Sequence, residues 1–480
     1  MESLGAMINT AVNPFADSLA DAVFFSITIG DAKIPLIVAW LVAAGVFFTI
    51  YLRGLNLRGM PEALRIVSGR RQFPDDTGEI SAWAALSTAI SGTVGIGNIG
   101  GVAVAISLGG PGATFWLIVA GLLGMATKCA ECVLGVHYRQ VGDDDAVSGG
   151  PMYYLRAGFA ERGWKNTGRV LGGFYAATIV FGCLGIGNMF QSNQAYEQVV
   201  TATGGTSSPL AAHAIGFGLV LAASVALVIL GGIRSIARVT TRLVPAMAGL
   251  YCLGCLLVIT MNASELPAAI AAIFVGAVTP EGIGGGMIGV MMLGFQRAAF
   301  SNEAGLGSAA IAHSAVRTHH PATEGLVALL EPFIDTVIIC TMTALVILTT
   351  IYEPGLSEGG VQGVALTSAA FESTLSWSPP LVAVAALLFA YSTMIAWAYY
   401  GLKAWTYLVG EGTAKEIVFK IVYCAFVVVG CTIDLAAVLK LSDALIFVVA
   451  FPNILGLYLL APKIRSILDD YMSSVAQREN

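Results

Sequence analysis

Charge is what this sequence has least of. Only 11% of its 480 residues are Asp, Glu, Lys or Arg, against 56% apolar; ordinary soluble domains carry roughly 25% charged residues. So few charges cannot cover a water-exposed surface on a chain of this length, and a mean hydropathy of +0.80 makes lipid its natural solvent. Histidine is scarce as well, five in all. None belongs to an HExxH or His-rich cluster inside an apolar span, and His313, His319 and His320 read as loop residues, which argues against a membrane enzyme. Nothing in the net charge of -6 points to a nucleic-acid partner. Residues 1–34 lack the basic start of a secretory signal peptide; Phe15, Phe24 and Phe25 among Asp17, Asp21 and Asp31 read as an interfacial helix.

Glycine, by contrast, is abundant at 56 residues. It lets membrane helices approach closely and lets backbone unwind. Of the eight cysteines, four form two C-x-x-C pairs, Cys129/Cys132 and Cys252/Cys255. Each pair lies inside an apolar run, and only His137, at a span end, is close in sequence. They read as small packing residues rather than a metal or redox centre.

At about 20 apolar residues per crossing, eleven spans are expected: 35–52, 81–108, 113–136, 170–200, 210–231, 243–262, 284–312, 326–351, 379–402, 416–437 and 442–462. Of the 24 Lys and Arg, 20 fall in or at the edge of the connections after odd-numbered spans and in the C-terminal tail. The positive-inside bias puts those connections and the C-terminus in the cytoplasm and the N-terminus outside an inner or plasma membrane. The connection 352–378, with Glu353, Glu358 and Glu372 but no Lys or Arg, then lies outside, and 363–375 within it reads as a short surface helix.

Two distant spans carry a related motif. Ser91-Gly-Thr-Val-Gly-Ile-Gly-Asn98 and Ser301-Asn-Glu-Ala-Gly-Leu-Gly-Ser308 both read S-x-x-x-G-[IL]-G-[NS], offset by 210 residues. An odd number of crossings separates the two spans, so the copies run antiparallel, as in an inverted-repeat transporter. The expected organisation is an N-terminal segment 1–34, an accessory helix 35–52, a first repeat 81–262, a second 284–462 and a tail 463–480. Paired glycines beside Asn or Ser are poor helix formers. Broken backbone survives in lipid only where it is buried in protein or lines a polar cavity. Freed N–H groups there can hold a carboxylate and freed carbonyls a sodium ion. Gly95–Gly100 also matches G-x-G-x-x-G, but it sits inside a long apolar span with no preceding strand, so dinucleotide binding is set aside.

Ionisable groups inside spans are functional candidates by default. Arg297 and Glu303 bracket Phe300-Ser301-Asn302, where the seventh span is expected to break; they read equally as gate partners beside a site and as partners for freed backbone or other helices. Lys128 and Glu131, three apart, fit a pair along one helix. Glu331 and Asp335 fit a cation or proton exit path, or groups snorkelling to the interface. In the fourth span, Gly185-Ile-Gly-Asn-Met-Phe-Gln-Ser-Asn-Gln194 is too polar to face lipid, and Gln191 can donate to a carboxylate or accept from an ammonium. Helix–helix bonding is the plainer reading of that stretch. Ser392 and Thr393 can offer hydroxyls to a cation or bond back to their own helix, and Trp397, one turn on, can wall a small pocket or simply pack.

The stretches 91–103, Gly149-Gly-Pro-Met-Tyr-Tyr-Leu155 and 294–308 resemble the alanine or glycine:cation symporter family, and the likeness runs from about residue 35 to 465. The resemblance implies Na⁺-coupled, in some members H⁺-coupled, uptake of alanine or glycine. It implies an all-α membrane protein of LeuT-type fold, with two inverted five-helix repeats (spans two to six and seven to eleven) and two discontinuous helices. Thr93-Val-Gly95-Ile-Gly97-Asn98 then resembles the broken first core helix, with the N–H groups of Ile96 and Gly97 on the substrate carboxylate. Carbonyls near Ser91 and Val94, with the Ser392 and Thr393 hydroxyls, match the common sodium site. Asn98 and Ser301 match a second sodium site of some relatives. Phe300 corresponds to a lid over the substrate, Glu303 stands where a small residue is usual, and Gln191 is taken as the family-specific substrate contact. The alternative on the same fold is a proton-coupled amino-acid symporter or exchanger.

Overall fold

A computed structural model describes Pro14 and residues 17–29, 32–71, 77–142, 146–278, 286–353, 363–433 and 435–479. Long apolar runs fold as helices because helices satisfy their own backbone in lipid. Their outer faces stay apolar: Leu227, Val220 and Leu253 are 78%, 73% and 68% exposed, a pattern that suits lipid and not water.

Helix α1 (Leu36–Tyr51) precedes a helix broken in two, α2 (Ala82–Thr93) and α3 (Gly97–Gly109), whose halves bend by 52°. Then follow α4 (Gly112–His137), α5 (Pro151–Glu161), α6 (Lys165–Ala202), α7 (Ala214–Ile229), α8 (Gly232–Met261) and α9 (Leu266–Val278). A second interrupted helix, α10 (Gly286–Asn302) and α11 (Ser308–His313), leads to α12 (Pro321–Thr350), α13 (Val364–Thr374), α14 (Pro379–Val409), α15 (Thr413–Gly430), α16 (Leu435–Val448) and α17 (Ala450–Glu479). Among the described residues six helices are long and apolar enough to cross a membrane, and the bent pair α2–α3 makes a seventh. Prolines in the first turn start α5, α12 and α14, where a missing N–H costs nothing. The Ser81 hydroxyl caps α2 by accepting Ala84 N–H at 3.3 Å.

Three local expectations change. Residues 232–242, expected as a loop, are the first turns of α8, with Arg234, Arg238 and Arg242 in one exposed stripe at four-residue spacing; the basic residues mark the polar end of a helix. The stretch 363–375 does form a helix, α13, but not on the surface. Val364, Leu366, Ala370 and Phe371 are buried, and Thr367 Oγ1 donates to Ile99 O at 3.0 Å, so α13 packs over α3. In the N-terminal segment, helical residues 17–23 give way to an antiparallel hairpin, β1 (Ser26–Ile29) and β2 (Ala32–Pro35). Phe24 meets Phe447 edge-on at 5.3 Å. Phe15, Asp31 and Glu358 lie outside the described residues.

Candidate functional site

The two spans that share a motif are the two that break. In the first, Asn98 holds the gap between α2 and α3: its Oδ1 accepts Gly95 N–H at 2.9 Å, and its own N–H donates to Gly95 O at 3.2 Å. In the second, the expected break at Phe300–Asn302 falls slightly later. Asn302 Oδ1 accepts Ala304 N–H at 2.9 Å, which lets α10 continue through Asn302. The turn is made by Glu303 (φ 57°), Gly305 (φ 91°) and Gly307 (φ 80°). The freed backbone there is met by neighbours: Glu131 Oε1 accepts Gly307 N–H at 3.0 Å, Tyr175 donates to Leu306 O at 2.8 Å, and Asn453 donates to Gly305 O at 2.8 Å.

The first break meets α6 and α14. Ile96 N–H donates to Gln191 Oε1 at 3.2 Å, and Gln191 Nε2 donates to Ile186 O at 3.0 Å. Gly95 comes so close to α14 that an added Cβ would lie 2.5 Å from Thr393 Oγ1; at Gly187, in a π-turn of α6, it would lie 2.3 Å from Trp397 Cβ. Ser91 Oγ donates to Ser392 O at 2.6 Å, and both Ser392 Oγ and Thr393 Oγ1 donate to Phe389 O, at 2.9 and 3.0 Å. The expected sodium-site hydroxyls therefore stand together between α2 and α14, bonded to their own helix. The Thr93 hydroxyl also turns back, to Ala89 O and Ile90 O.

Trp397 is fully buried. Its Nε1 donates to Gly92 O at 3.2 Å and to Glu303 Oε1 at 3.1 Å, tying α14 to both breaks. Glu303 also accepts from Ser308 Oγ. Arg297 does not meet Glu303; it pairs with Asp443 of α16 and lies over the Phe300 ring, 5.5 Å from its centre. Phe300 in turn meets Phe190 edge-on at 5.4 Å. In the polar stretch of α6, Asn188 donates to Tyr423 O at 2.7 Å and Asn193 to Ile433 O at 2.7 Å; the first bond reaches α15 and the second the turn that follows it.

Asp335 is the residue whose place was least visible in the sequence. It sits on α12 between the two breaks, fully buried. Its carboxylate accepts Asn98 Nδ2 at 2.6 Å, Ser301 Oγ at 2.9 Å and Thr336 Oγ1 at 2.7 Å. Among the described residues no Lys or Arg forms an ion pair with it. Asp443, the partner of Arg297, is not among the candidates the sequence offers; only its place among apolar residues could flag it.

Two readings of charged residues need correction. Lys128 does not pair along its helix with Glu131. Its Nζ lies 3.3 Å from Glu331 Oε2, while Glu131 serves the second break and Asn453. His313 is not in a loop: it ends α11, fully buried, with Nδ1 2.6 Å from Glu324 Oε2 and Nε2 2.6 Å from Glu331 Oε1. The cysteines of both C-x-x-C pairs are free, three of them buried and Cys252 half-buried; the histidine near Cys132 in space is His313, not His137.

Comparison with known proteins fits this geometry. The sodium:alanine symporter family matches residues 22–480. The sodium/alanine symporter AgcS of Methanococcus maripaludis is 39% identical over 430 residues, 89% of this chain and 92% of that protein. The amino-acid carrier protein AlsT of Bacillus subtilis is 34% identical over 435 residues, 90% and 88% of the two chains. In fold the chain is similar to MhsT, crystallised with L-phenylalanine (TM-score 0.55, 13% identity, 82% and 98% covered). It is also similar to the manganese transporter of Eremococcus coleocola (TM-score 0.52, 16% identity, 78% and 78% covered); both are LeuT-fold transporters. With its broken helices, its hydroxyl cluster and a family match over nearly its whole length, this multi-pass membrane protein is a transporter, not an enzyme, and belongs to the sodium:alanine symporter family.

Proposed function

We propose that this protein carries a small neutral amino acid, alanine or glycine, into the cell together with sodium, by alternating access. The observation that carries the reading is the contact at Ile96: a side-chain carbonyl oxygen of Gln191 sits 3.2 Å from a backbone N–H at the helix break, where a substrate carboxylate oxygen would make the same bond. The carboxylate displaces Gln191 and takes the N–H groups of Ile96 and Gly97, and the freed Gln191 amide turns to the substrate. Phe300 covers the site and Trp397 walls it, which leaves room for little beyond a methyl group. Uptake of labelled alanine and glycine into proteoliposomes, with and without a sodium gradient, tests this. Uptake indifferent to sodium but driven by a proton gradient would favour the proton-coupled reading, for which the carboxyl of Asp335, without an ion pair among the described residues, is the natural carrier.

Sodium enters this proposal at two places. The first lies between α2 and α14, where the carbonyls of Ser91 and Val94 and the hydroxyls of Ser392 and Thr393 are the donors. Thr393→Ala should raise the sodium concentration for half-maximal uptake by about tenfold, the loss of one bond to a charged group. Unchanged sodium dependence in Thr393→Ala and in the Ser392→Ala/Thr393→Ala double variant would remove this site. The second place is Asp335 with Asn98 and Ser301.

The proposed architecture is eleven crossings: α1 alone, then repeats 81–262 and 284–462 in opposite orientations, the N-terminus outside and the C-terminus cytoplasmic. The exposed positions Ser68 and Ser373 should fall on opposite sides. A cysteine at Ser373 should react with an impermeant thiol reagent added to intact cells, and one at Ser68 only after lysis. The reverse pattern would overturn the orientation.

A further inference from the structure

Lys128, Glu324, Glu331 and His313 are fully buried, and nothing in the substrate or sodium sites uses them. Both imidazole nitrogens of His313 face carboxylate oxygens at 2.6 Å, and each such contact needs a hydrogen between the two atoms. A neutral imidazole carries only one N–H. The three groups therefore share two protons. With the Lys128 ammonium 3.3 Å from Glu331, the array is neutral as a whole: two cations against two carboxylates. Removing one proton would set two lone pairs against each other and leave a net negative charge buried in the membrane, which is strongly unfavourable.

Among the described residues, most of the ionisable groups around the array are already engaged. From α4 and the turn after it come Glu131, Cys132 and Arg139, from α14 Tyr400, from α5 Tyr154 and from the second break Glu303; residues 60–71 and α17, packed against the start of α12, bring Glu62, Arg65, Arg71 and Tyr471, the last three all bonded to Glu62, and α2, packed against α11, brings no titratable group. Glu131 is occupied by Gly307 N–H and Asn453, Tyr154 by Asn453, and Glu303 by Trp397 and Ser308. Cys132, His313 and Glu331 stand within 4.8 Å of one another, as metal ligands would, but Lys128 already supplies the positive charge there.

The array also spans parts expected to move apart. His313 ends α11, the short half of the second broken helix, while Glu324 and Glu331 are on α12 and Lys128 on α4. The segment after His313 is clamped to the chain before α2: Glu79 N–H donates to Ala315 O at 2.8 Å, and Arg317 N–H to Ile80 O at 2.7 Å. Arg139 holds both sides, donating to Ser314, Val316, Thr318 and Thr77 carbonyls at 2.6–2.9 Å. Glu324 lines a cavity of about 530 Å³ together with Ser68, Arg71, Arg317 and Thr318, on the side assigned to the cytoplasm.

We infer that Glu324, His313 and Glu331 form a cytoplasm-facing proton site that closes only when doubly protonated, so that a proton from the cytoplasm holds the inner half of the transport path shut. The inference rests on the sodium-coupled reading and orientation above. Opening that half draws α11 away from α12 and wets the imidazole. A free imidazole titrates near pH ~6.5 in water, so above that pH opening releases one proton. The closed state binds more protons, and acid on that side favours it.

The test is sodium-driven alanine uptake into right-side-out membrane vesicles, with lumenal pH set between 8.5 and 6.5 and external pH and the sodium gradient held fixed. Uptake should slow as the lumen is acidified, by up to about tenfold per unit. The same change outside should have no such effect. His313→Gln and Glu324→Gln should flatten the lumenal slope, and Glu324, at the cavity edge, carries the comparison if the His313 variant does not fold. Uptake indifferent to lumenal pH in the unaltered protein overturns the proposal and leaves the substrate reading standing. A full slope surviving in Glu324→Gln overturns it too.

Discussion

Gly95→Ala should stop sodium-driven uptake, whereas Gly97→Ala should leave the sodium site and the fold intact and lose alanine. The two glycines are two residues apart, neither has positive φ, and their difference is one of space. A Cβ at Gly95 would lie 2.5 Å from Thr393 Oγ1 and 3.2 Å from Gln191 Oε1. Thr393 can swing its hydroxyl aside only by changing χ1 rotamer and giving up its bond to Phe389 O. The methyl therefore displaces both a proposed sodium ligand and the amide that guards Ile96. At Gly97 the nearest atom is Phe300 Cδ1 at 3.4 Å, an ordinary contact, so the empty protein accepts the methyl. The seam between Gly97 and Phe300 is where the proposed substrate must part the broken helices. A methyl there pushes the carboxylate off its N–H groups, and a hydrogen bond to a charged group is worth roughly 1.5–3 kcal/mol, or about 10–150-fold in affinity. Calorimetry of alanine binding, with thermal stability measured on the same samples, separates the cases. Gly97→Ala with wild-type alanine affinity would remove the carboxylate from this N–H pair; Gly95→Ala with normal sodium dependence would remove Thr393 from the sodium site.

The first break was legible because its cause is local: two glycines and an asparagine in one turn, with Asn98 bonded to Gly95 within that same turn. For the second, the expected break at Phe300–Asn302 falls a few residues early. Arg297 and Glu303 looked like its edges, but what positions a break is which residue caps it and which can take positive φ. Asn302 does the first and Gly305 and Gly307 the second, while Glu303 takes left-handed backbone that side chains other than glycine and asparagine rarely adopt. The orientation of charged residues was much less legible. Lys128 and Glu131 have helix-pair spacing, but inside a packed bundle a lysine answers to whichever carboxylate faces it, and that is Glu331. His313 reads as a loop residue because it follows the expected end of the seventh span at 312 and polar residues come after it. Nothing in its own neighbourhood announces Glu324 and Glu331, which come to it from another helix. Long-range pairing leaves no periodic trace, and so Asp443 as the partner of Arg297, and Asn98 and Ser301 as the partners of Asp335, emerge only in three dimensions.

Asp335→Asn should lower the apparent affinity for sodium by at least about tenfold and take the steepness of the sodium dependence from near two toward one. A buried carboxylate in a membrane protein must be paired, protonated or bound to a cation. Asp335 has no ion pair among the described residues, and its three partners, Asn98, Ser301 and Thr336, are neutral donors. Asn98 and Ser301 come from the two breaks, so the carboxylate lies where α3 and α10 must come together when the site closes. A sodium ion there would turn the Ser301 and Thr336 hydroxyl oxygens toward itself and draw on the Asn98 carbonyl. That carbonyl now accepts Gly95 N–H, which links ion occupancy directly to the shape of the first break. Asparagine is nearly isosteric with aspartate and can still meet Asn98 and Ser301, so the variant should fold; what it removes is the negative charge. Sodium dependence of alanine uptake in proteoliposomes, fitted for both affinity and steepness, decides between two roles. If Asp335 holds sodium, both parameters change and a proton gradient cannot replace the sodium gradient. If it holds a proton instead, Asp335→Asn keeps the sodium dependence of the unaltered protein and loses only the response to external pH, and the second sodium position must be given up.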